Sequence, residues 1–413
     1  MFPPALRIGG SQLNALELAE ELHRRGHDVV VFSEDGPLRS RVEAAGLPFE
    51  PAPERPKVRP WPATAARLAD VVRRYRVDVV HGYEWPPILE AVYGPFLRSG
   101  TPVVGTVMSM GVAPFIPRHL PLVVGTAQIA AVERERREVV ELVEPPVDVA
   151  VNHPGMGGTA ARSDLGIDAD AFAVVVVSRL ANELKREGLL EAIRAAGALA
   201  ADMPIRLIVV GDGPARPEIE TSARETNAAA GREVVTLTGS VLDPVHLYDA
   251  ADVVLGMGSS ALRGMAFAKP LVVQGERGFW RLLEQSSLET FLHQGWYGIG
   301  AGGDGASRLT GILRTLHADR PLRESLGTFS RSIVVDRFSL ERAGAVHERI
   351  YESAQRSAPA RLEFARHAVA PLARAFAHEA GHWLAVRRGE GAAEDFNQIS
   401  AQARPEPSLR GTP

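Results

Sequence analysis

The chain has 413 residues, 45% hydrophobic and 23% charged, and no cysteine. That length exceeds what one hydrophobic core usually supports and predicts two domains. Without cysteine there are no disulfides, thiolate metal sites, iron–sulfur ligands or cysteine nucleophile, and a net charge of −4 offers no basic field for nucleic acid.

Only three lysines occur, Lys57, Lys185 and Lys269, and arginine supplies the other 43 cations. The bias runs along the whole chain and reads as codon usage in a GC-rich genome. Met1-Phe2-Pro3-Pro4 carries no secretory-signal pattern. The longest apolar stretch, Val103 to Ala131, is broken by Pro114, Pro117, Arg118, His119 and Pro121. The expectation is no membrane span and a cytoplasmic location.

Taken in order, Leu13 to Arg25 carries a helical leucine stripe, and Gly26 is placed to stop it. Asp28–Ser33 is an apolar run suited to a buried parallel strand. Thr64–Tyr75 reads as a helix; Val77–His81, Thr101–Val107 and Leu122–Thr126 read as strands. The pattern restarts after the Pro- and Gly-containing stretch 145–158. Strands are expected at Ala171–Ser178, Ile205–Gly211, Val234–Thr238, Asp252–Leu255 and Pro270–Val273. Helices are expected at Glu187–Leu199, Pro214–Ala229, Val245–Ala250 and Ser260–Ala268. Repeated strand–helix units predict two doubly wound α/β domains with ligands at the carboxyl ends of the strands, and the cleft between domains as the default site.

Three segments have the chemistry of phosphate sites. Gly256-Met257-Gly258-Ser259-Ser260 follows a strand and opens a helix, so glycines permit close approach and a helix N-terminus offers free N–H groups. The bland alternative is a tight turn with a capping serine. Arg179, Lys185 and Arg186 cluster at another strand end, where a diphosphate would find a guanidinium fork and a point charge; the alternative is solvated surface charge. Ile8-Gly9-Gly10-Ser11 is again a glycine loop before a helix, or a simple turn.

In combination these segments resemble GT-B glycosyltransferases of the family 4 type over roughly residues 1–356. Pro145-Pro146-Val147-Asp148, Ser178-Arg179-Leu180 with Lys185-Arg186-Glu187-Gly188, Val210-Gly211-Asp212-Gly213-Pro214 and Met265-Ala266-Phe267-Ala268-Lys269-Pro270 follow the family's order. The resemblance implies two Rossmann-like domains facing a cleft: an acceptor-side domain over 1–150 and a nucleotide-sugar domain over 151–335. A helix over 336–357 would return to the first domain, ahead of a helical then disordered tail over 358–413. It implies transfer of a sugar from a nucleoside diphosphate to an acceptor hydroxyl with retention, with no metal and no cofactor beyond the nucleotide sugar. Arg179 and Lys185 would neutralise the leaving diphosphate. Gly9, Gly10, Gly258, Ser259 and Ser260 would approach the phosphates, and Gly239 would lie by the base. His81 and Met108 fall on the acceptor side. The acceptor is a glycan, lipid or small molecule, and peripheral contact with the inner membrane face is compatible with such a role.

The departures are specific. The family's paired glutamates fall, counted back from Met265, at Arg263 and Leu255, and Arg263 cannot accept from ribose hydroxyls. Its active-site histidine falls at Met108. Glu276, after the 270–273 strand, is the candidate replacement carboxylate; otherwise it is a solvated loop acid. No strand precedes Phe2, so the first sheet is expected to lack a central element, with the true start upstream of Met1. The alternative to an active enzyme is an impaired GT-B protein that binds nucleotide or sugar, or partners an active transferase. His378-Glu379-Ala380-Gly381-His382 matches the zinc-protease pattern. No third histidine follows it, leaving Glu394 or Asp395 as ligands, and an amphipathic helix with Phe364, Leu372, Phe376 and Trp383 is the simpler reading. That helix would dock on the first domain or on a membrane face.

Overall fold

The computed structural model describes residues 1–53, 60–356 and 369–387. Phe364, Glu394, Asp395 and the polar stretch from Gly389 lie outside the described residues, as do the side chains of His382 and Trp383. The chain divides into two compact units, one of residues 1–145 together with Leu340 and the described residues after it, the other Pro146–Ser339. No helix among the described residues is long and apolar enough to cross a membrane.

The first unit holds strands β1 (Val31–Ser33), β2 (Phe49–Pro51), β3 (Val80–Tyr83), β4 (Val103–Val107), β5 (Leu122–Val124) and β6 (Val140–Leu142). β1 pairs with β2, and β3 to β6 form a four-stranded parallel sheet. The expected gap before Phe2 is a point of correction. Phe2 N–H donates to His81 O at 2.8 Å and Phe2 O accepts from Tyr83 N at 3.0 Å. On the other side, Phe32 N–H reaches Met1 O at 2.9 Å and Leu6 N–H reaches Glu34 O at 3.0 Å. Residues 1–6 therefore fill the central place between β1 and β3. Pro3 and Pro4 have no N–H to donate, so the ladder is reduced to bridges at Phe2 and Ala5.

The helix Gly10–Arg24 ends before Gly26, whose φ of 95° suits glycine. The helix Leu340–Arg356 packs on it: a side chain at Gly344 would meet Glu21 at 2.7 Å, and Arg25 pairs with Glu348 at 2.6 Å. Its Ala343, Ile350 and Ala354 share a core with Val104 and Val123.

The second unit holds β7 (Phe172–Val177), β8 (Ile205–Val210), β9 (Val235–Gly239), β10 (Val253–Gly256), β11 (Leu271–Gln274) and β12 (Trp280–Leu282), in the order β12-β11-β10-β7-β8-β9. All pairs are parallel except β11 with β12. β7, β10 and β11 read as near-continuous apolar runs because both faces are buried. Phe172, Val174 and Val176 enter one core, and Ala173 and Val175 enter the other.

His81 and His347 lie buried together in the first unit, ring centroids 5.5 Å apart. Burial holds His347 neutral, its pKa lowered to about 4. Below the usual 6.5 the unfolded chain takes up a proton that the folded chain refuses. Stability is therefore full above pH 6.5 and falls as pH drops towards 4. The gap corresponds to about 3 kcal/mol. The unfolding free energy from urea titrations should fall by at least that order between pH 7 and 4, because burial lowers the pKa of the neighbouring His81 in the same direction. His347→Phe should lessen the fall; an equally steep loss in the variant would contradict this.

Candidate functional site

The helix Arg186–Leu199 follows β7 and buries Leu189, Ala192 and Ile193 in one core, whereas the helix Ser259–Ala266 follows β10 and buries Ala261, Leu262 and Met265 in the other. Adjacent parallel strands whose helices leave to opposite faces make a topological switch point, and the crevice opens at their carboxyl ends. Two of the sequence-identified phosphate segments, Ser178–Lys185 and Gly256–Ser260, lie at that point, since β7 and β10 pair directly.

The Ser178–Leu180 turn is clamped by backbone. A side chain at Gly211 would stand 1.9 Å from Ser178 O, and one at Gly213 would stand 2.5 Å from Leu180 O. Their φ angles are 142° and 155°. Leu180 N–H in turn donates to Asp212 O at 2.9 Å. Gly-Asp-Gly is thus required by contact, not by composition.

Lys185 caps the helix Arg186–Leu199 after a tight turn. Its N–H donates to Glu183 O at 2.7 Å, and Leu184 between them has φ 62°. The Lys185 ammonium is pushed down to about 7, first by desolvation and then by the Arg179 guanidinium. Two cations facing one small space is the electrostatic signature of an anion site. Arg179 itself is exposed. Gln274, at the end of β11, supports this loop: its side-chain amide donates to Lys185 O at 3.1 Å and lies over Gly188, where a Cβ would meet it at 2.4 Å. Glu187 accepts the N–H groups of Arg277 (3.1 Å) and Gly278 (2.8 Å), tying the 276–278 loop to the same helix start. Nothing in the residue pattern singled out Gln274 or Glu187; only the fold brings them here.

Glu276 is half-buried and accepts from the Tyr297 hydroxyl at 2.5 Å. Gly258 caps the helix Ser259–Ala266 with φ 58°, and its N–H donates to Trp296 O at 3.0 Å. The Ser260 hydroxyl is turned inward to Met257 O at 3.0 Å, so what it retains for a ligand is its backbone N–H. Ser259 is half-buried. Gly239 ends β9 with φ 75° beside Arg216. Arg263 is half-buried on the helix, close enough to Tyr248 to act on its hydroxyl. Leu255, the position to which the family's first glutamate counts back, lies inside β10 at 0% exposure, and only Met257 and Gly258 join that strand to its helix. No side chain at 255 reaches a ligand.

In the first unit Gly9 caps the helix Gly10–Arg24. Met108 follows β4, and its sulfur packs toward Gly125. His81 reads from the sequence either as an acceptor contact or as a strand-end histidine with a structural hydrogen bond, and the structure has it hydrogen-bonded inside the unit. It lies within β3 rather than at its end, 2% exposed, with Nδ1 at 2.7 Å from the Tyr351 hydroxyl and Nε2 at 2.6 Å from Thr106 Oγ1. Both nitrogens are engaged inside the unit. Glu84, which the sequence reading passed over, ends β3 and accepts from Met108 N–H (3.1 Å) and the Ser109 hydroxyl (2.9 Å).

The zinc-protease pattern lies on the helix Val369–Arg387, which docks on the first unit. Ala375 is buried in that unit's core, and His378 packs against Trp85 and Phe115. Glu379 is buried. No cluster of three metal-ligating side chains occurs among the described residues.

The model of Glycosyltransferase Family 4 matches residues 8–155, and that of Glycosyl transferases group 1 matches residues 171–291. The chain belongs to the GT-B glycosyltransferases of the family 4 type. A D-inositol 3-phosphate glycosyltransferase of Kineococcus radiotolerans is 28% identical over 380 residues, covering 78% of this chain and 82% of that protein. The Anabaena protein HepE in complex with UDP has a TM-score of 0.66 at 17% identity, over 85% of this chain and 98% of its own. A Rickettsia africae glycosyltransferase gives 0.69 at 14%, over 86% and 97%. At these identities the solved structures establish the GT-B fold.

Gly211→Ala tests the clamp. A methyl 1.9 Å from Ser178 O at φ 142° forces the chain to move. Thermal and urea unfolding should show a loss of at least about 3 kcal/mol; a variant within about 0.5 kcal/mol of the parent, the scale of ordinary surface changes, would contradict the close approach.

Proposed function

We propose that this protein transfers a sugar from a nucleoside diphosphate sugar to an acceptor hydroxyl, with retention at the anomeric carbon, and that the diphosphate binds at the β7/β10 strand ends. The single observation that carries the reading is the Arg179–Lys185 pair at the switch point, where burial and the Arg179 guanidinium both work against the Lys185 charge. The bond from the anomeric carbon to the phosphate oxygen breaks, a bond from that carbon to the acceptor oxygen forms, and the hydroxyl proton passes to the leaving diphosphate. Negative charge grows on the leaving diphosphate, where Arg179, Lys185 and the N–H groups of Ser259 and Ser260 oppose it. Glu276, oriented by Tyr297, supplies a carboxylate for the donor sugar that Leu255 cannot. Retention and metal independence are supported by the family resemblance. UDP is the first nucleotide to test, because HepE was solved with UDP and with UDP-glucose.

Calorimetry against UDP, GDP, ADP and TDP should find one binder. Arg179→Ala should weaken it by about 1.5–3 kcal/mol, the worth of charge-assisted hydrogen bonds; unchanged affinity would remove Arg179 from the site. Binding of a nucleotide with no turnover of any of its sugar conjugates would favour an impaired, binding-only member.

The pH dependence follows from Lys185. An anion raises its pKa from about 7, so binding takes up a proton. Affinity should be full below pH 7 and fall as pH climbs above it. Calorimetry across pH 6 to 9 reads this directly, and Lys185→Arg should abolish the slope while retaining binding. A slope unchanged in that variant would assign the proton elsewhere.

A further inference from the structure

Glu84 has a backbone that a glutamate does not choose. Its φ of 64° and ψ of 167° lie in a region open essentially to glycine alone. The position is forced by a direct passage from β3 into the helix Trp85–Ala91. Glu84 N–H still follows the ladder to Thr106 O at 2.8 Å, while its carbonyl already accepts from Ile88 N–H at 3.2 Å. Gly82 shows how tight the passage is, since a Cβ there would stand 2.9 Å from Ile88 N. Glycine at 84 would satisfy the same path without strain. What glutamate adds is its side chain.

That side chain reaches across to the loop after β4. One carboxylate oxygen accepts Met108 N–H and the other accepts the Ser109 hydroxyl. Ser109 N–H also faces it. One acid thus ties two strand-end segments of the unit, the end of β3 and the loop after β4. Loops at the carboxyl ends of parallel strands are where such a sheet presents its ligand contacts.

We propose that Glu84 is a positioning residue for transfer: held in a strained backbone, it sets the Met108–Ser109 loop at the end of β4 so that the acceptor hydroxyl is aligned. This rests on the transferase reading above. It differs from a general structural role in what it predicts. A misplaced acceptor lowers the rate of transfer without touching the donor site, and displacement by about 1 Å costs on the order of 100-fold. The donor is then lost to water instead.

The test uses the full chain and the variants Glu84→Gly, Glu84→Ala and Glu84→Gln. UDP-, GDP-, ADP- and TDP-glucose serve as donors. Inositol, glucose, N-acetylglucosamine and their phosphates serve as acceptors. Transfer and donor hydrolysis are measured together with nucleotide affinity and Tm. Glu84→Gly should melt above Glu84→Ala, because only glycine relieves the strain. Both should bind nucleotide within about threefold of the parent, while kcat for transfer falls on the order of 100-fold and the ratio of hydrolysis to transfer rises. Glu84→Gln, which keeps the shape and one acceptor oxygen, should recover part of kcat. Transfer by Glu84→Gly at the parent rate overturns the proposal, as does an equal loss of nucleotide affinity and transfer. Equal Tm values for the glycine and alanine variants overturn the strained backbone on which it stands. A parent protein that transfers to none of these acceptors would sink the transferase reading, and the proposal with it.

Discussion

The candidate site depends on one topological fact, that the helices after β7 and β10 leave the sheet on opposite faces. Two neighbouring strand ends are thereby left uncovered, and the loops that follow them must face each other. Each loop carries what an anion needs. One carries Arg179 and Lys185; the other carries a glycine and a run of N–H groups at a helix start. Burial of both sheet faces makes this arrangement rigid. β7, β8, β10 and β11 pack apolar side chains above and below, so their ends have little freedom to rearrange.

Strain is spent at the same places. Among the described residues six non-glycine positions have left-handed φ, and four of them are Glu84, Leu184, Arg277 and Trp296. Leu184 sets the turn before Lys185. Arg277 follows Glu276 and is tied to Glu187. Trp296 supplies the carbonyl for Gly258 N–H. Glu84 ends β3. Residues in costly conformations persist where surrounding structure over-determines them, and they gather at working sites. Here they lie beside the residues that chemistry alone had marked.

Much of the second unit was legible because its strands are mostly apolar runs separated by glycine and proline punctuation. The expected helix over 245–250 matches the one observed, the strand expected over 171–178 is shorter by one residue at each end, and the one expected over 205–211 ends one residue early. The first unit was harder. β1 and β2 have three residues each, and Pro3 and Pro4 interrupt the pairing of the opening segment, so period and propensity had little to read. His81 was misplaced for a related reason: β3 runs two residues beyond the expected strand end, which moves the histidine from the rim to the interior. Arg179, Lys185 and Gly258 could be read from charge and glycine spacing. Glu84, Gln274 and Glu187 could not, because their roles arise from contacts across 24 to 91 positions of sequence. Leu255 illustrates the opposite failure, in which counting along a motif lands inside a strand because the connection that follows is two residues long.

The central claim is that the diphosphate binds at the β7/β10 switch point of the second unit. Amide hydrogen exchange followed by mass spectrometry, with and without saturating nucleoside diphosphate, tests it most directly. The account predicts protection of residues 178–187, 256–262 and 274–278, with β1 to β6 little changed. Protection confined to residues 1–145, or none at these three segments under saturating nucleotide, would contradict it.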